Sequence, residues 1–445
     1  MTITRFISGS AKPTEPSEFR PDSSQITPFP MPSPYDQASV SIAISPNDTA
    51  PPEVKTANAN RAASHMPVLD GLRGLAILLV MIVHFQSDLP QPNRLATWLM
   101  KSGQTGWIGV DLFFVLSGFL ITGILLRSRE SPHFFRNFYI RRTLRIFPLY
   151  YAVLLVGCVV LPLLLVGNED LRILWRHQIW LWFYSPNVIS SLESKWIFSN
   201  ETFNLGHFWS LAVEEHFYLF WPALVFFFPR HLLKICLTVI VGGLACRLFL
   251  TWQQAPTLVT YTLSTCRIDS LMYGAFIALM SQRGQMPKLR RFAPIVLSVC
   301  SAILLVVFLR QKGLYLNDPF VRTWGFSLLA LLFGAVLVLC LHLQSTHPIF
   351  KVLSGRFLSF FGKYSYALYV FHPLLEPRFK SLLPVGTVTS LLHSNFLGMF
   401  AHTAVLIAMT IPFALASWYF LEQPFLNLKD KFTLSSSPHL SAPEQ

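Results

Sequence analysis

Apolar residues along this chain gather into long runs separated by short segments rich in basic and small polar residues. About twenty apolar residues in a helix suffice to cross a bilayer, and most of these runs approach that length. The pattern predicts an all-α polytopic membrane protein with about ten transmembrane helices. The ten predicted spans cover residues 67–85, 106–126, 146–167, 209–228, 235–252, 261–281, 292–309, 324–343, 364–378 and 396–421.

A further stretch, 173–189, is aromatic but is interrupted by Arg176, His177 and Pro186. If this stretch does not span, 17 basic residues outside the spans fall on the side of the N-terminus and 10 fall on the opposite side. Cytosolic loops are enriched in Lys and Arg. The count therefore predicts that 173–189 is re-entrant or interfacial on the outer face, and that both termini are cytosolic.

The two ends of the chain lack the apolar pattern of the middle. Residues 1–65 are rich in Pro, Ser and Thr and contain no apolar run, which is typical of a disordered tail. We predict a disordered cytosolic tail over 1–65, a transmembrane domain over 66–428 and a short cytosolic tail over 429–445. The N-terminal tail has no signal-peptide core, so the first span is the expected targeting element to the plasma membrane.

Composition agrees with this assignment. Of the 445 residues, 52% are hydrophobic and 13% are charged, whereas about 25% of a soluble domain is charged. The net charge of +13 arises in loops between apolar runs, which indicates positive-inside topology in a lipid bilayer rather than nucleic-acid binding. The six cysteines lie in apolar runs without paired spacing, so the sequence predicts neither a disulfide framework nor a metal site.

The first predicted span carries ionisable residues that a plain membrane anchor would exclude. Arg73 and His84 are eleven residues apart, so in a helix they share one face and lie about 16 Å apart along the axis. Ionisable groups inside membranes usually face a cavity or a pathway. This segment alone leaves open the alternative of a snorkelling arginine and a histidine hydrogen-bonded between helices.

Polar residues in other spans are further candidates. Asp111 in the second span needs a partner or a cavity, whereas Ser117 in the same span is also explained by close helix packing. Glu214 lies in the fourth span beside a second glutamate. The remaining candidates, for which structural roles such as an intramembrane salt bridge are the alternative, are Arg267, Asp269, Tyr366 and His372.

Three arginines, Arg141, Arg142 and Arg145, cluster on the cytosolic side where the third span begins. Guanidinium groups bind phosphate bidentately, and the flanking Tyr and Phe offer a surface on which an adenine ring can stack. The cluster therefore suits an adenine nucleotide or coenzyme A. Ordinary positive-inside anchoring is the alternative.

Seven segments together resemble the acyltransferase-3 family of integral membrane O-acyltransferases, whose members acylate bacterial surface polysaccharides, O-antigen and some secreted small molecules. The resemblance covers about residues 67–427 in the family's order. The segments are Arg73-x10-His84, DLFFVLSGFLIT, RRTLRIFPLYY, WSLAVEEHFYLFWP, RIDSLMYG, SYALYVFH and EQP.

The resemblance implies a cytosolic acyl-CoA donor, by default acetyl-CoA, and an acceptor hydroxyl on an extracytoplasmic carbohydrate or glycoconjugate. It implies that Arg73 and His84 are essential, and it matches Arg142 and Arg145 to the family's cytosolic arginine pair. Glu214 matches the glutamate of the family's WSLxVE segment. No soluble esterase-like domain follows the spans, so the membrane-only form is expected.

The implied reaction is acyl transfer from a thioester to a hydroxyl. Histidine is the side chain best suited to remove the hydroxyl proton near neutral pH, so His84 is the expected general base, with Asp111 or Glu214 to orient it. Arg73 would bind the pantetheine arm or a phosphate, or pair with Asp70. A covalent acyl-enzyme on His84 or Ser117 stays open.

Two other functions remain as alternatives. Buried charged residues also occur in transporters, here of a glycan, a lipid-linked sugar or a small acid, although the two halves show no convincing internal repeat of the kind transporters often have. An accessory subunit without activity is the third possibility. The acceptor, the acyl chain length and the oligomeric state cannot be read from the sequence.

Overall fold

All regular structure is helical in residues 66–87, 89 and 93–432, the part of the chain that the computed structural model describes. The predicted all-α fold is thus confirmed. The predicted tail over 1–65 and residues 433–445 lie outside the described residues.

The helices follow one another with short connections. In chain order they are α1 (Pro67–Phe85), α2 (Arg94–Gln104), α3 (Gly109–Ser128), α4 (Phe134–Leu155), α5 (Glu169–Trp182), α6 (Pro186–Glu193), α7 (Phe208–Phe227), α8 (Leu232–Trp252), α9 (Thr257–Thr262), α10 (Ser264–Gln282), α11 (Met286–Gln311), α12 (Phe326–Cys340), α13 (Pro348–Leu353), α14 (Arg356–Lys363), α15 (Ser365–Leu382), α16 (Val385–Leu391) and α17 (Asn395–Ser417). Turns of π-helix extend three of these helices: Val156–Val160 after α4, Val321–Gly325 before α12 and Trp418–Glu422 after α17.

A long helix overlaps each of the ten predicted spans, but the third begins at Phe134, well before the predicted start at residue 146. Seven helical stretches of the described residues are long and apolar enough to cross a membrane. They are Pro67–Phe85, Arg94–Ser128, Phe134–Leu164, Leu232–Trp252, Met286–Gln311, Val321–Cys340 and Asn395–Asn427. The other three long helices, α7, α10 and α15, carry Glu214, Arg267 and His372 respectively. Polar side chains thus interrupt the apolar character of helices that the sequence pattern predicts to span.

The aromatic stretch 173–189 falls on two helices that are too short to cross a bilayer. Helix α5 has 14 residues and α6 has 8, against the roughly twenty that a span requires. Between them the backbone of Tyr184 adopts a φ of 52°, and Pro186 begins the next helix. The structure is therefore consistent with an interfacial or re-entrant segment, and its sidedness stays a prediction.

Small residues let the central helices approach closely, as is common in membrane proteins. A Cβ atom on Gly118 of α3 would lie 1.9 Å from the carbonyl oxygen of Leu271 in α10, and one on Gly274 of α10 would lie 2.0 Å from that of Val115. These reciprocal contacts fix α3 against α10. Helix α1 packs against α3, α14 and α15, which places Arg73 and His84 in the interior of the bundle.

Candidate active site

The charged cavity is the first of two cavities that meet in the interior. It has a volume of about 130 Å³ and is lined by helices α1, α3, α4, α7 and α15. Five arginine and glutamate side chains share its wall. They are Arg73, Arg142, Arg145, Glu214 and Glu215.

Two of these arginines have unused hydrogen-bond donors. Arg142 and Arg145 are half-buried and form no ion pair with a carboxylate of the described residues, whereas Arg73 Nη1 lies 2.9 Å from Asp70 Oδ1. Arg141 is exposed and does not line the cavity. The geometry therefore brings two members of the predicted arginine cluster to the site and leaves the third outside it.

A chain of hydrogen bonds joins α3 to α7 at this cavity. The Tyr218 hydroxyl donates to Glu214 Oε2 at 2.8 Å. Because that phenol has only one proton, Ser117 Oγ must donate the hydrogen bond of 2.6 Å that it forms with Tyr218. Tyr366 also lines the cavity, and its hydroxyl donates to the carbonyl oxygen of Ile146 at 2.7 Å.

The aromatic cavity, with a volume of about 590 Å³, contains His84. Within the described part of the chain its wall has no Asp, Glu, Lys or Arg side chain. Aromatic rings, two histidines and several amide and hydroxyl groups take their place. The aromatic and amide residues are Trp107, Trp196, Trp209, Tyr261, Tyr315, Tyr369, Gln104, Asn204 and Asn317.

The backbone of α1 fixes the tautomer of His84. Its Nδ1 lies 2.8 Å from the carbonyl oxygen of Val80. A carbonyl can only accept, so Nδ1 carries the proton of the neutral ring and the Nε2 lone pair stays free. The buried ring of His372 lies 4.8 Å from that of His84, centroid to centroid. His372 therefore lies beside His84 but does not line the cavity.

Two side chains belong to both cavities and form the wall between them. Val110 of α3 and Tyr369 of α15 line the charged cavity and the aromatic cavity alike. The Tyr369 hydroxyl donates to the carbonyl oxygen of His207 at 3.1 Å and is also hydrogen-bonded to Ser210. The wall is thus anchored to the start of α7.

Asp111, Arg267 and Asp269 take part in two buried ion pairs and do not line either cavity, although the Arg267 guanidinium lies 5.6 Å from the centroid of the Tyr261 ring in the aromatic cavity. Arg267 Nη2 lies 2.8 Å from Asp111 Oδ1, and Arg247 Nη2 lies 2.7 Å from Asp269 Oδ2. Ser270 Oγ donates to the same Asp111 oxygen at 3.2 Å. The alternative of an intramembrane salt bridge to another span thus describes Arg267 and Asp269, each of which is paired with a residue of another helix.

The expectation that a carboxylate orients His84 does not match this geometry. Asp111 is paired with Arg267, and Glu214 accepts from Tyr218 in the charged cavity. The acceptor of the His84 hydrogen bond is instead the carbonyl oxygen of Val80, one helical turn earlier. In an α-helix the carbonyl oxygen of residue i−4 lies one turn before residue i, and the sequence does not show that the His84 ring bonds to it.

Several residues of the two cavities are not candidates on the sequence pattern alone. Tyr218 is four residues after Glu214 and Tyr369 is three before His372, so helical spacing would have placed each beside a candidate. His207 and the aromatic residues of the second cavity offered no comparable signal, because their neighbours come from distant parts of the chain. No group of three or more His, Cys, Asp or Glu residues that could hold a metal occurs in residues 66–87, 89 and 93–432.

The fold and the site define a polytopic helical membrane protein with a charged cavity and an aromatic cavity in its interior. Residues 66–419 match the family model described as an acyltransferase domain, and the chain belongs to this family. The predicted family is thereby confirmed.

The chain is similar to several curated bacterial proteins. It is 30% identical over 331 residues to the peptidoglycan O-acetyltransferase OatA of Listeria monocytogenes, covering 69% of this chain and 49% of that protein. It is 28% identical over 388 residues to the putative O-acetyltransferase SAS0844 of Staphylococcus aureus, covering 81% of this chain and 57% of the relative. The O-acetyltransferase OatA of Staphylococcus aureus is 28% identical over 322 residues, with coverage of 69% and 50%.

The chain thus spans about half the length of the curated relatives it matches. Where a relative's name states a substrate, that substrate is peptidoglycan, so the expected O-antigen type is replaced by a peptidoglycan type among the relatives. No solved structure matches the chain.

Proposed function

We propose that this protein transfers an acyl group, by default acetyl, from cytosolic acyl-CoA to a hydroxyl of an extracytoplasmic glycan. The observation that carries the proposal is the pair of cavities of opposite character that share Val110 and Tyr369. One helix, α1, supplies Arg73 to the first cavity and His84 to the second. The peptidoglycan named for a relative is the acceptor class to test first.

The charged cavity is the proposed donor end. Guanidinium groups bind phosphate in a bidentate manner. Arg142 and Arg145 form no ion pair with a carboxylate among the described residues. They would hold the diphosphate of the coenzyme at the cytosolic surface, while Arg73 contacts the pantetheine arm. This orientation places both termini in the cytosol.

The aromatic cavity is the proposed acceptor end, with His84 as general base. The acceptor hydroxyl gives its proton to Nε2 of His84, and its oxygen attacks the thioester carbonyl carbon. The tetrahedral intermediate then expels the coenzyme A thiolate, which takes the proton back from His84. The products are an ester and free coenzyme A, and His84 returns to its starting tautomer. This direct route needs no acyl-enzyme on Ser117.

The test uses purified protein in proteoliposomes, radiolabelled acetyl-CoA and soluble peptidoglycan fragments as acceptor. General-base catalysis contributes about 10²–10⁴-fold, so His84→Gln is expected to lower transfer at least about 100-fold without a change in coenzyme A affinity. Full transfer by correctly inserted His84→Gln protein would refute the assignment. Movement of glycan across the vesicle membrane without thiol release would instead support a transporter.

The donor end has its own matched control within one helical turn. Hydrogen bonds to charged groups contribute about 1.5–3 kcal/mol each, so Arg142→Gln with Arg145→Gln is expected to weaken coenzyme A binding at least about 100-fold by calorimetry in detergent. Arg141→Gln removes the same charge outside the cavity and should leave the affinity within about twofold. Equal losses for both variants would show a general surface-charge effect and exclude the proposed clamp.

A further inference from the structure

The mouth of the aromatic cavity is built from two loops that are far apart in the sequence. Trp196 precedes α7 and Tyr315 follows α11, and their exposed fractions are 43% and 41%. Deeper in the cavity, Trp209 and Tyr261 are buried, with ring centroids 4.6 Å apart. Aromatic surface therefore continues from the entrance to the chamber that contains His84.

These rings are held in place by specific contacts. The Lys101 ammonium donates to the Tyr315 hydroxyl at 2.8 Å. The ring centroid of Trp196 lies 6.3 Å from that of Tyr261 in an edge-to-face arrangement, a geometry that aromatic pairs favour. Rings fixed in this way can receive a ligand without losing much conformational freedom.

Amide groups lie between the aromatic surfaces. Asn204 Oδ1 accepts from the backbone N–H of Gly206 at 3.0 Å and from Ser199 Oγ at 3.2 Å. Both bonds use the oxygen, so the Nδ2 donors of Asn204 remain for a ligand. Gln104 and Asn317 line the same cavity and add further donors and acceptors.

Within the described residues no Asp, Glu, Lys or Arg side chain lines this cavity, which restricts the ligand. An anionic group that entered this cavity would lose hydration without finding a counter-ion among the described lining residues, which is unfavourable. An uncharged sugar fits both features of the wall. The C–H face of a pyranose packs on aromatic rings, and its hydroxyl and amide substituents exchange hydrogen bonds with side-chain amides.

We propose that the aromatic cavity is a binding site for an uncharged pyranose unit, which Trp196 and Tyr315 bracket at the mouth and Asn204 hydrogen-bonds inside. The inference deepens the proposed function, since it names the class of acceptor that would reach His84. Trp196 and Tyr315 are specificity-determining residues in this scheme. The anionic parts of a larger glycan would remain outside the cavity.

Binding is measured separately from catalysis, by calorimetry on the full chain in detergent without acyl-CoA. The probes are a neutral oligomer of N-acetylglucosamine and an anionic oligomer of galacturonate of the same length. The wild-type protein should bind the neutral oligomer at least about tenfold more tightly. Because 1.4 kcal/mol corresponds to tenfold in affinity, loss of one stacking ring in Trp196→Ala is expected to weaken binding about tenfold.

Two further variants make the test specific. Trp252→Ala removes a tryptophan that is 74% exposed at the end of α8 and does not line the cavity, so binding should not change. Asn317→Lys places a cation in the cavity and should shift the preference toward the anionic oligomer. Equal binding of both oligomers, no measurable binding of the neutral one, or equal effects of Trp196→Ala and Trp252→Ala would overturn the proposal.

The outcomes also separate this site from the proposed function. Neutral-sugar binding that depends on Trp196, combined with no acetyl transfer by the wild-type protein, would keep the sugar site and reject the transferase. Transfer that depends on His84 but is unchanged in Trp196→Ala and Tyr315→Ala would keep the transferase and reject the sugar site.

Discussion

The buried pair of Asp111 and Arg267 offers a test that distinguishes a structural role from a catalytic one. Both side chains are fully buried and are joined at 2.8 Å. With an effective dielectric constant of about 20, two unit charges at that distance attract by about 6 kcal/mol. Desolvation opposes this by several kcal/mol for each ion, so the pair contributes little net stability over a well-packed apolar pair.

Removing one partner has a different consequence from removing both. Arg267→Met or Asp111→Leu leaves one buried charge without compensation, and such single changes destabilise proteins by about 3–5 kcal/mol. The double variant Asp111→Leu with Arg267→Met removes both desolvation penalties, so its stability should lie within about 2 kcal/mol of wild type. Since the two single losses sum to at least about 6 kcal/mol and the double loss is at most about 2 kcal/mol, the coupling between the two changes is at least about 4 kcal/mol.

The assay is thermal unfolding in detergent, followed by the reaction of newly exposed cysteines with a fluorogenic maleimide. Five of the six cysteines are buried and one is partly buried, so the signal reports loss of the native bundle. Acetyl transfer is measured on the same preparations. Strictly additive stability losses would refute the electrostatic reasoning. Loss of transfer in Asp111→Asn at unchanged stability would show that Asp111 takes part in the chemistry, as the sequence suggested.

Two further predictions test the route between the cavities and the packing that holds it. Val110→Trp should block the passage between the two cavities and lower acyl transfer at least about 100-fold, while coenzyme A affinity in detergent is retained. Unimpaired transfer would mean that the acyl group takes another path. Gly118→Ala puts a Cβ 1.9 Å from the Leu271 carbonyl oxygen and should lower the unfolding temperature. Gly242→Ala, whose Cβ meets nothing within 4 Å, should raise the unfolding temperature slightly, because Ala is favoured over Gly in a helix by about 1 kcal/mol. Equal shifts for the two alanine variants would contradict the close packing of α3 on α10.

The positions of the helices could be predicted from the sequence, because bilayer thickness and apolar run length are directly related. The spacing of Arg73 and His84 likewise placed both on one face of α1, because eleven residues make about three helical turns. These inferences depend only on local geometry. The same holds for the break at Pro186, where a missing N–H and a restricted φ interrupt an aromatic run.

The partners of the buried polar residues could not be predicted in this way. Asp111 and Arg267 are 156 residues apart, and their pairing depends on which helices become neighbours. Arg247 was not a candidate on the sequence because it lies in an otherwise apolar run, yet it forms the ion pair with Asp269. The cavity residues Trp196 and Tyr315 come from separate loops, so their proximity is also a property of the tertiary structure alone.

The wall between the cavities has a consequence for the proposed reaction. In the proposed reaction the thioester and the hydroxyl must come within bonding distance, so Tyr369 would have to move aside for each turnover. Its hydroxyl has two hydrogen bonds, to His207 and Ser210, and such bonds contribute about 1 kcal/mol each. An open state about 2 kcal/mol above the closed one has a population of about 3%. In the proposed reaction, such a population would keep the thioester separated from water on the acceptor side for most of the time and so limit hydrolysis of the donor.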